Sequence, residues 1–257
     1  MKSKGTLRHN VGMFPTRPLR TRRRMMMAAG AAAGLIIATL AVLFLVVLPT
    51  SAPQKLAISA TSTASAPGAS SSPVPSGQAA GSWTVAKNSV AGYRVREQLA
   101  FVSAPSDAVG RTSSITGNMS LAQTTTGYTV SAASFTVDVS SLTSDRAMRD
   151  QRIHSIGLQS DRYPTASFKL TAPISLPATA SDGQVVQVSA TGDLTIHGSS
   201  QSVVIPMQAR LNGSQVEVAG SITFPFSQFG MTPPSIGGFV SVQDNATMEF
   251  QLVFQRA

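Results

Sequence analysis

The sequence predicts an all-β domain, an antiparallel barrel of about eight strands with a short helical insert, preceded by one transmembrane helix. Three observations predict this fold class. Apolar residues alternate with polar ones over much of residues 82–257, a charge-rich segment interrupts the alternation near Ser144, and residues 25–48 carry no charge. Alternation with a period of two is typical of strands with one buried face, and a long uncharged run is typical of a membrane span.

The N-terminal part divides into a basic arm, residues 1–24, and an apolar run, residues 25–48. The arm holds eight lysines and arginines and no acidic residue. At about 1.5 Å per residue the run makes a helix about 36 Å long, which exceeds a hydrocarbon core of about 30 Å. Because positive charge stays on the cytoplasmic side, we expect a single-pass cell-membrane protein with a cytoplasmic N-terminus and an extracytoplasmic part from residue 49 onward.

A cleaved signal peptide is the alternative interpretation of this run, since Thr50-Ser51-Ala52 resembles a cleavage site. The run is longer than the usual apolar region of about 7 to 15 residues in a signal peptide, and Pro53 directly follows the site. The sequence therefore favours an uncleaved anchor.

The positive charge of the chain belongs to the arm. The formal net charge is +9 over 257 residues, but acidic and basic residues are equal in number from Ser82 onward. A nucleic-acid-binding domain would need basic residues gathered on its folded surface, so we expect no nucleic-acid partner. The absence of cysteine excludes disulfides, thiol nucleophiles and thiolate metal sites.

Residues 49–81 consist mainly of Ser, Ala, Thr, Pro and Gly, and Lys55 is their one charged residue. Such a composition buries too little apolar surface to order itself, so we expect a disordered linker. Residues 82–257 then form one domain, which is long enough for a real core.

The strands of this domain follow from alternation. We expect earlier strands near residues 83–101, 113–122, 127–139 and 166–175, and four more in the C-terminal half. His197-Gly198 and Asn212-Gly213 separate later strands as turn signals, which indicates an antiparallel meander. The opposite face of the later strands carries polar residues such as Glu217 and Glu249, so we expect that face in water. Eight strands can close into a barrel just wide enough for side chains or one slender ligand.

The helical insert lies between Ser140 and Pro164. Ser144 is expected to cap its helix, and Asp145 with Arg149 and Arg146 with Asp150 have the spacing of ion pairs on a helix surface. An apolar side that we expect to cover the end or edge of the barrel is formed by Met148, Ile153, Ile156 and Leu158. Pro164 favours extended backbone at Tyr163, so the chain resumes as a strand.

Several motifs occur in one order along the domain. They are Trp83 with Ser89, GYRVREQL from Gly92, VGRT from Val109, GDLTIHG from Gly192, FSQFGM from Phe226, and an SD...RD...L...YP..F pattern carried by Ser144, Asp145, Arg149, Asp150, Leu158, Tyr163, Pro164 and Phe168. Together they resemble the YceI-like family over about residues 82–257. The resemblance implies a lipocalin-like antiparallel barrel that holds a long isoprenoid or a similar lipid inside it. We expect this lipid to be bound or carried without chemical conversion and without a cofactor.

The candidate lipid-binding residues are the apolar side chains of the later strands that we expect in the barrel interior: Leu194, Ile196, Val203, Ile205, Met207, Val218, Ile222, Phe224, Phe226, Met248, Phe250, Leu252 and Phe254. Arg149 and Arg152 are candidates for contact with a lipid head group. The same apolar residues would also fill a solid core, so a ligand-free structural or stress-protective envelope module remains the alternative. Trp83 is expected to pack in the core.

Catalysis and metal binding have little support in the sequence. The extracytoplasmic domain has two histidines, His154 and His197, and no cluster at metal-ligand spacing. Asp150, His154 and Ser155 form the one grouping that suggests a hydrolase. We therefore expect a binding or carrier protein and not an enzyme.

Overall fold

A computed structural model describes residues 52–58, 79–100, 104–176, 183–236 and 238–257. The described residues form strands β1 Gly81–Val85, β2 Val90–Leu99, β3 Ser106–Thr112, β4 Ile115–Thr124, β5 Gly127–Asp138, β6 Thr143–Ser144, β7 Thr165–Leu170, β8 Ile174–Ser175, β9 Val185–Ile196, β10 Ser199–Asn212, β11 Gln215–Phe224, β12 Ser235–Ile236 and β13 Val240–Arg256. One α-helix, α1, spans Ala147–Arg152, and a π-helical turn, Ile153–Gly157, continues it.

The strands close into an antiparallel barrel, which confirms the predicted fold of the domain. The ring runs β1, β4, β5, β7, β9, β10, β11, β13 and back to β1. Both β1 and β2 pair with the same side of β13, while β4 pairs with β1 and β3 pairs with β2. Therefore β1 and β2 together occupy one strand position of the barrel, β3 and β4 together occupy another, and the barrel has eight strand positions.

The break between β1 and β2 is the main departure from the strand predicted over 83–101. Ser89 is fully buried there, and its hydroxyl donates to the Val253 carbonyl (3.2 Å) and accepts from the Val253 amide (2.9 Å). The Ala86 amide also donates to the Val253 carbonyl at 2.7 Å. A side chain thus satisfies the backbone groups that the interrupted ladder leaves open.

The two predicted hairpin turns are present. Ile196 pairs with Ser199, and the two residues between them, His197 and Gly198, have φ of 53° and 72°. Two positive φ values define the tight turn whose twist matches that of the flanking strands. Asn212 ends β10 and pairs with Gln215, so the second turn consists of Gly213 and Ser214, one residue later than predicted, and Gly213 has φ of 58°.

The barrel has two ends, which we name for what lies there. The terminus end carries the start of β1, the end of β13 and the turns that follow Thr124 and Asn212. The insert end carries α1 and the His197-Gly198 turn.

The insert differs from its prediction at the helix start. Ser144 pairs with Gly110 as part of β6, its hydroxyl accepts from the Arg146 amide (3.2 Å), and α1 begins only at Ala147. The prediction that Ser144 caps the helix is wrong, because strand pairing holds it outside the helix. Arg149 pairs with Asp145 as predicted, whereas Arg146 lies 3.6 Å from Asp145 and Asp150 accepts from the Ser144 amide (2.9 Å).

Residues 52–58 were assigned to the linker, yet they lie against the barrel, and we call them the strap. The Pro53 carbonyl accepts from Arg94 (2.8 Å), and the Gln54 carbonyl accepts from Arg111. Ile58 is buried. The predicted membrane span, 25–48, lies outside the described residues, and no helix within the described ranges is long and apolar enough to cross a bilayer.

The barrel interior contains two apolar clusters. One, toward the insert end, includes Leu194, Ile196, Phe224 and Phe229; the other, toward the terminus end, includes Trp83, Leu252 and Phe254. Trp83 is 1% exposed, donates to the Ala79 carbonyl (3.0 Å) and lies under the Arg256 guanidinium. It therefore packs in the core, as expected.

Candidate binding site in the barrel interior

An apolar cavity lies inside the described part of the barrel toward the terminus end, and we call it the larger cavity because its volume exceeds that of a second cavity toward the insert end. Its volume is about 150 Å³, and it extends from Tyr128, Leu176 and Leu211 to Met248. Its described lining is apolar except for Tyr128, Ser167, Gln184 and Arg210. The interior is thus hollow at this end.

The second cavity lies toward the insert end and has a volume of about 100 Å³. Barrel strands supply much of its wall. The insert adds Leu142, Ile153, Gly157 and Leu158, and the segment after β11 adds Phe226, Met231 and Pro234. Ile153 and Leu158 therefore face the barrel as predicted. Met148 in α1 and Ile156 in the π-helical turn do not, since 66% and 45% of their surfaces are exposed.

Four residues line both cavities: Ala91, Val137, Ala166 and Met248. Val137 and Ala166 are direct partners on β5 and β7, while Ala91 and Met248 lie on the neighbouring strands β2 and β13. In the strand order β7 and β13 are four places apart, which is halfway round an eight-membered ring. We call these four residues the waist, because they belong to the boundary between the two cavities.

Eleven of the predicted interior residues line a cavity. The larger cavity is lined by Leu194, Ile205, Met207, Val218, Met248, Phe250, Leu252 and Phe254, and the second by Ile196, Phe224, Phe226 and again Met248. Val203 and Ile222 line neither and pack in the insert-end cluster. Whether any of these residues binds a lipid stays a prediction.

The earlier strands also contribute to the wall, although none of their residues is among the predicted interior set. The larger cavity is also lined by Ala91, Met119, Leu121, Val130, Ala133, Phe135 and Phe168. The alternation of Phe135 and Val137 predicts a strand with one buried face. The same alternation is the signal that could have placed both side chains in the cavity wall. Small residues such as Ala91 and Ala133 give no hydrophobic signal of their own.

The two arginines predicted to contact a lipid head group, Arg149 and Arg152, lie outside both cavities. Arg149 donates to both Glu97 oxygens (3.1 and 3.0 Å) and pairs with Asp145, while Arg152 is exposed. Burial acts to lower the pKa of Arg149, but the Glu97 and Asp145 carboxylates outweigh it and raise that pKa.

Arg210 is the one charged residue that lines either cavity within the described ranges. It lies between Ala209 and Leu211 on β10, so alternation places its side chain on the face opposite to theirs. Its guanidinium pairs with Glu217, the residue directly across on β11, at 2.5 Å. The Glu217 carboxylate thus neutralises this charge at the cavity edge.

Tyr93 is the notable polar residue of the second cavity. Its ring lies over Gly110, where a Cβ atom would come within 2.3 Å of a ring carbon, and its hydroxyl is buried without a hydrogen-bond partner. Burial raises the pKa of this hydroxyl. An unpaired buried hydroxyl is costly to the ligand-free protein.

The hydrolase grouping is not assembled. His154 Nδ1 lies 2.5 Å from the Ser160 hydroxyl, and the Ser155 hydroxyl donates to the Gln151 carbonyl at 2.9 Å. Asp150 is occupied by the Ser144 amide. Among the described residues no group of three or more His, Asp or Glu side chains is placed to hold a metal ion.

The outer wall carries an ion cluster that the sequence analysis placed in water. Glu249 on β13 is 2% exposed and accepts from Arg94 at 3.3 Å through each of two nitrogens and from Arg111 at 2.9 Å. The expectation that Glu249 faces solvent is wrong, because the strap and the two arginines surround it. Gly92, the strand partner of both Glu249 and Arg111, leaves room for this contact.

These residues explain two of the motifs. A Cβ atom at Gly92 would lie 2.1 Å from the Gly110 carbonyl oxygen and 2.9 Å from the Arg111 side chain. GYRVREQL thus supplies Gly92 and Arg94, and VGRT supplies Gly110 and Arg111. Arg94 and Arg111 belong to the outer wall, whereas Tyr93 and Val95, which alternate with Arg94 in GYRVREQL, line the second cavity.

The sequence of this barrel matches a known family profile. Residues 83–254 match the YceI-like domain. A UPF0312 protein of Vibrio cholerae is 29% identical over 114 residues, which are 42% of this chain and 57% of that relative. The match therefore spans less than two thirds of the relative's length.

The chain is similar to solved structures at low sequence identity. A polyisoprenoid-binding domain from Saccharophagus degradans has a TM-score of 0.51 and 14% identity, over 69% of this chain and 99% of that one. BcnA of Burkholderia cenocepacia has a TM-score of 0.46 and 19% identity, over 63% and 95%.

Proposed function

Since the chain belongs to the YceI-like domain family, we propose that it binds an isoprenoid or a similar long-chain lipid in the barrel interior, as a carrier that leaves the lipid chemically unchanged. The larger cavity is the observation that supports this most strongly. A wall of aliphatic and aromatic side chains favours an apolar chain through burial, at about 0.8 kcal/mol for each methylene group removed from water.

The chemistry of the cavity wall supports a lipid over a small polar metabolite. Recognition of a polar ligand needs several convergent donors and acceptors. The described lining offers few, and the one charged residue, Arg210, is paired with Glu217. The polyisoprenoid-binding domain from Saccharophagus degradans has a similar fold, which agrees with the proposal.

We further propose that residues 25–48 anchor the protein in the cell membrane, with the barrel on the extracytoplasmic side. The uncharged run and the basic arm before it support this placement. An anchor would keep the barrel beside a lipid source.

Native mass spectrometry of the full chain, purified in mild detergent, tests lipid binding. We expect a bound mass that organic extraction identifies as a long-chain lipid. Ala133→Phe should remove it, because Ala133 lines the larger cavity, whereas Ala132→Phe on the exposed face should not. A wild-type protein that carries no lipid and takes up none would instead favour the ligand-free envelope module.

The absence of cysteine allows a direct test of topology. In intact cells a membrane-impermeant maleimide should label the exposed position Ser221→Cys and not the arm position Thr6→Cys. Labelling of both positions only after lysis would contradict the extracytoplasmic placement. A mature N-terminus at Pro53 would contradict the anchor.

A further inference from the structure

We propose that the second cavity is the far compartment of the same binding site, and that Met248 at the waist sets the length of the lipid chain that the barrel accepts. This inference rests on the proposed function and adds a selectivity to it. The chain of a ligand in the larger cavity would continue past the waist into the space beneath the insert.

The position of the two cavities supports continuity. They lie one after the other along the barrel, and the same four residues line both. No polar layer separates them, since the waist consists of two alanines, a valine and a methionine. An apolar chain would therefore cross the waist without losing contact with apolar surface.

The side chains at the waist differ in how much space they take. Ala91 and Ala166 are small, and Val137 is stiff because it branches at Cβ. Met248 is the long and unbranched one, with three rotatable bonds, so a change of rotamer alters the opening without moving the backbone. Its strand partner on β2 is Tyr93, whose ring rests on Gly110, so the wall beside Met248 is fixed.

The far compartment is suited to the end of an apolar chain and not to a charged head group. No charged residue lines it within the described ranges, and Arg149 nearby is held by Glu97 and Asp145. Ile153, Gly157 and Leu158 of the insert line it. A chain that passes Met248 can extend as far as these residues, so the opening at Met248 decides whether a long chain gains the space of the second compartment.

The test uses the full chain and two probes, a short and a long polyprenol offered together at equal concentration, with native mass spectrometry to measure the ratio bound. Met248→Ala should shift the ratio toward the long polyprenol by at least about tenfold, which corresponds to about 1.4 kcal/mol. Ala166→Leu narrows the waist and should shift it toward the short one. Val109→Ala is the matched control, because Val109 is buried but lines neither cavity and belongs to neither interior cluster.

The outcomes separate the two proposals. If the wild type binds both polyprenols and every variant gives the same ratio, Met248 does not set the length and lipid binding stands. If the wild type binds neither, the proposed function fails and the inference fails with it. Should Ala166→Leu not fold, Met248→Ala decides alone, since it only removes atoms.

Discussion

Glu249 and Arg94 form a two-point ion pair on the outer wall of the barrel, in which both side chains are almost fully buried. Arg94 also contacts Asp107 (3.2 Å) and the Pro53 carbonyl of the strap. One guanidinium thus joins β2 to β3, β13 and the N-terminal strap.

Glu249→Ala should lower the free energy of unfolding by about 3 to 5 kcal/mol, because the Arg94 guanidinium would stay buried without its main counter-charge. Urea unfolding measures this. Arg96→Ala is the matched control: Arg96 also pairs across strands but is 47% exposed, so its loss should stay within about 1 kcal/mol. Equal losses of stability in the two variants would show that burial does not determine how much the Arg94–Glu249 ion pair contributes to stability.

Gly92→Ala should destabilise the barrel by about 1 to 3 kcal/mol or more, since its methyl group would collide with the Gly110 carbonyl oxygen, a backbone atom that cannot move freely. At Gly157 a Cβ atom would meet no other atom closer than 3.9 Å, so Gly157→Ala makes no collision and should change stability by less than about 0.5 kcal/mol. Thermal unfolding of both variants checks the contrast, and an unaffected Gly92→Ala would be inconsistent with the close approach of β2 and β3.

Tyr93→Phe should leave the ligand-free protein as stable as the wild type or more stable by about 1 kcal/mol, because it removes a buried hydroxyl that has no partner. Burial raises the pKa of Tyr93 in the folded protein above its unfolded value of about 10. The contribution of neutral Tyr93 to stability is therefore fully present below pH 10 or so, and it is lost as pH rises through the higher folded pKa. The variant should therefore lose less stability than the wild type above pH 10 or so. A marked loss at neutral pH would reveal a partner for the hydroxyl.

Ile58→Asp should release the strap. Lys55 is the one tryptic site between residues 49 and 81, and cleavage after it should become at least about tenfold faster, because the burial of a side chain such as Ile58 contributes about 1.5 to 3 kcal/mol. Gln54→Ala is the control: the contact uses the carbonyl of Gln54, so its side chain should not matter. Equal cleavage rates in all three proteins would contradict a docked strap.

Asp107→Asn should make stability less sensitive to acid. Partial burial acts to raise the pKa of Asp107, but hydrogen bonds from Arg96 and Arg94 outweigh it and hold the pKa below its ordinary value. The charged form thus adds stability above about pH 4, which is lost as pH falls through the lower folded pKa. Urea midpoints between pH 5 and pH 2.5 or so should decline less in the variant than in the wild type.

The sequence predicted the architecture well because each strand reveals its buried face by alternation. Phe250, Leu252 and Phe254 were assigned to the interior on that basis alone, and all three line the larger cavity. Turns were equally predictable, since His197-Gly198 needs positive φ at both positions.

The exterior and the insert were harder to predict, for physical reasons. Glu249 alternates like a solvent-facing residue, and its burial depends on Arg94, Arg111 and a strap almost 200 residues away in sequence, which no local pattern encodes. The helix start was missed because β6 pairing with β3 competes with the capping tendency of Ser144. Whether the interior is hollow depends on the fit of all strands at once.

The strap also determines where mechanical load enters the domain. A pull on the chain from its N-terminal side reaches Pro53, Gln54 and Ile58 before it reaches β1. The arginines of β2 and β3 would bear the tension first, and the seam between β1 and β13 that closes the ring would stay unloaded until the strap had peeled away.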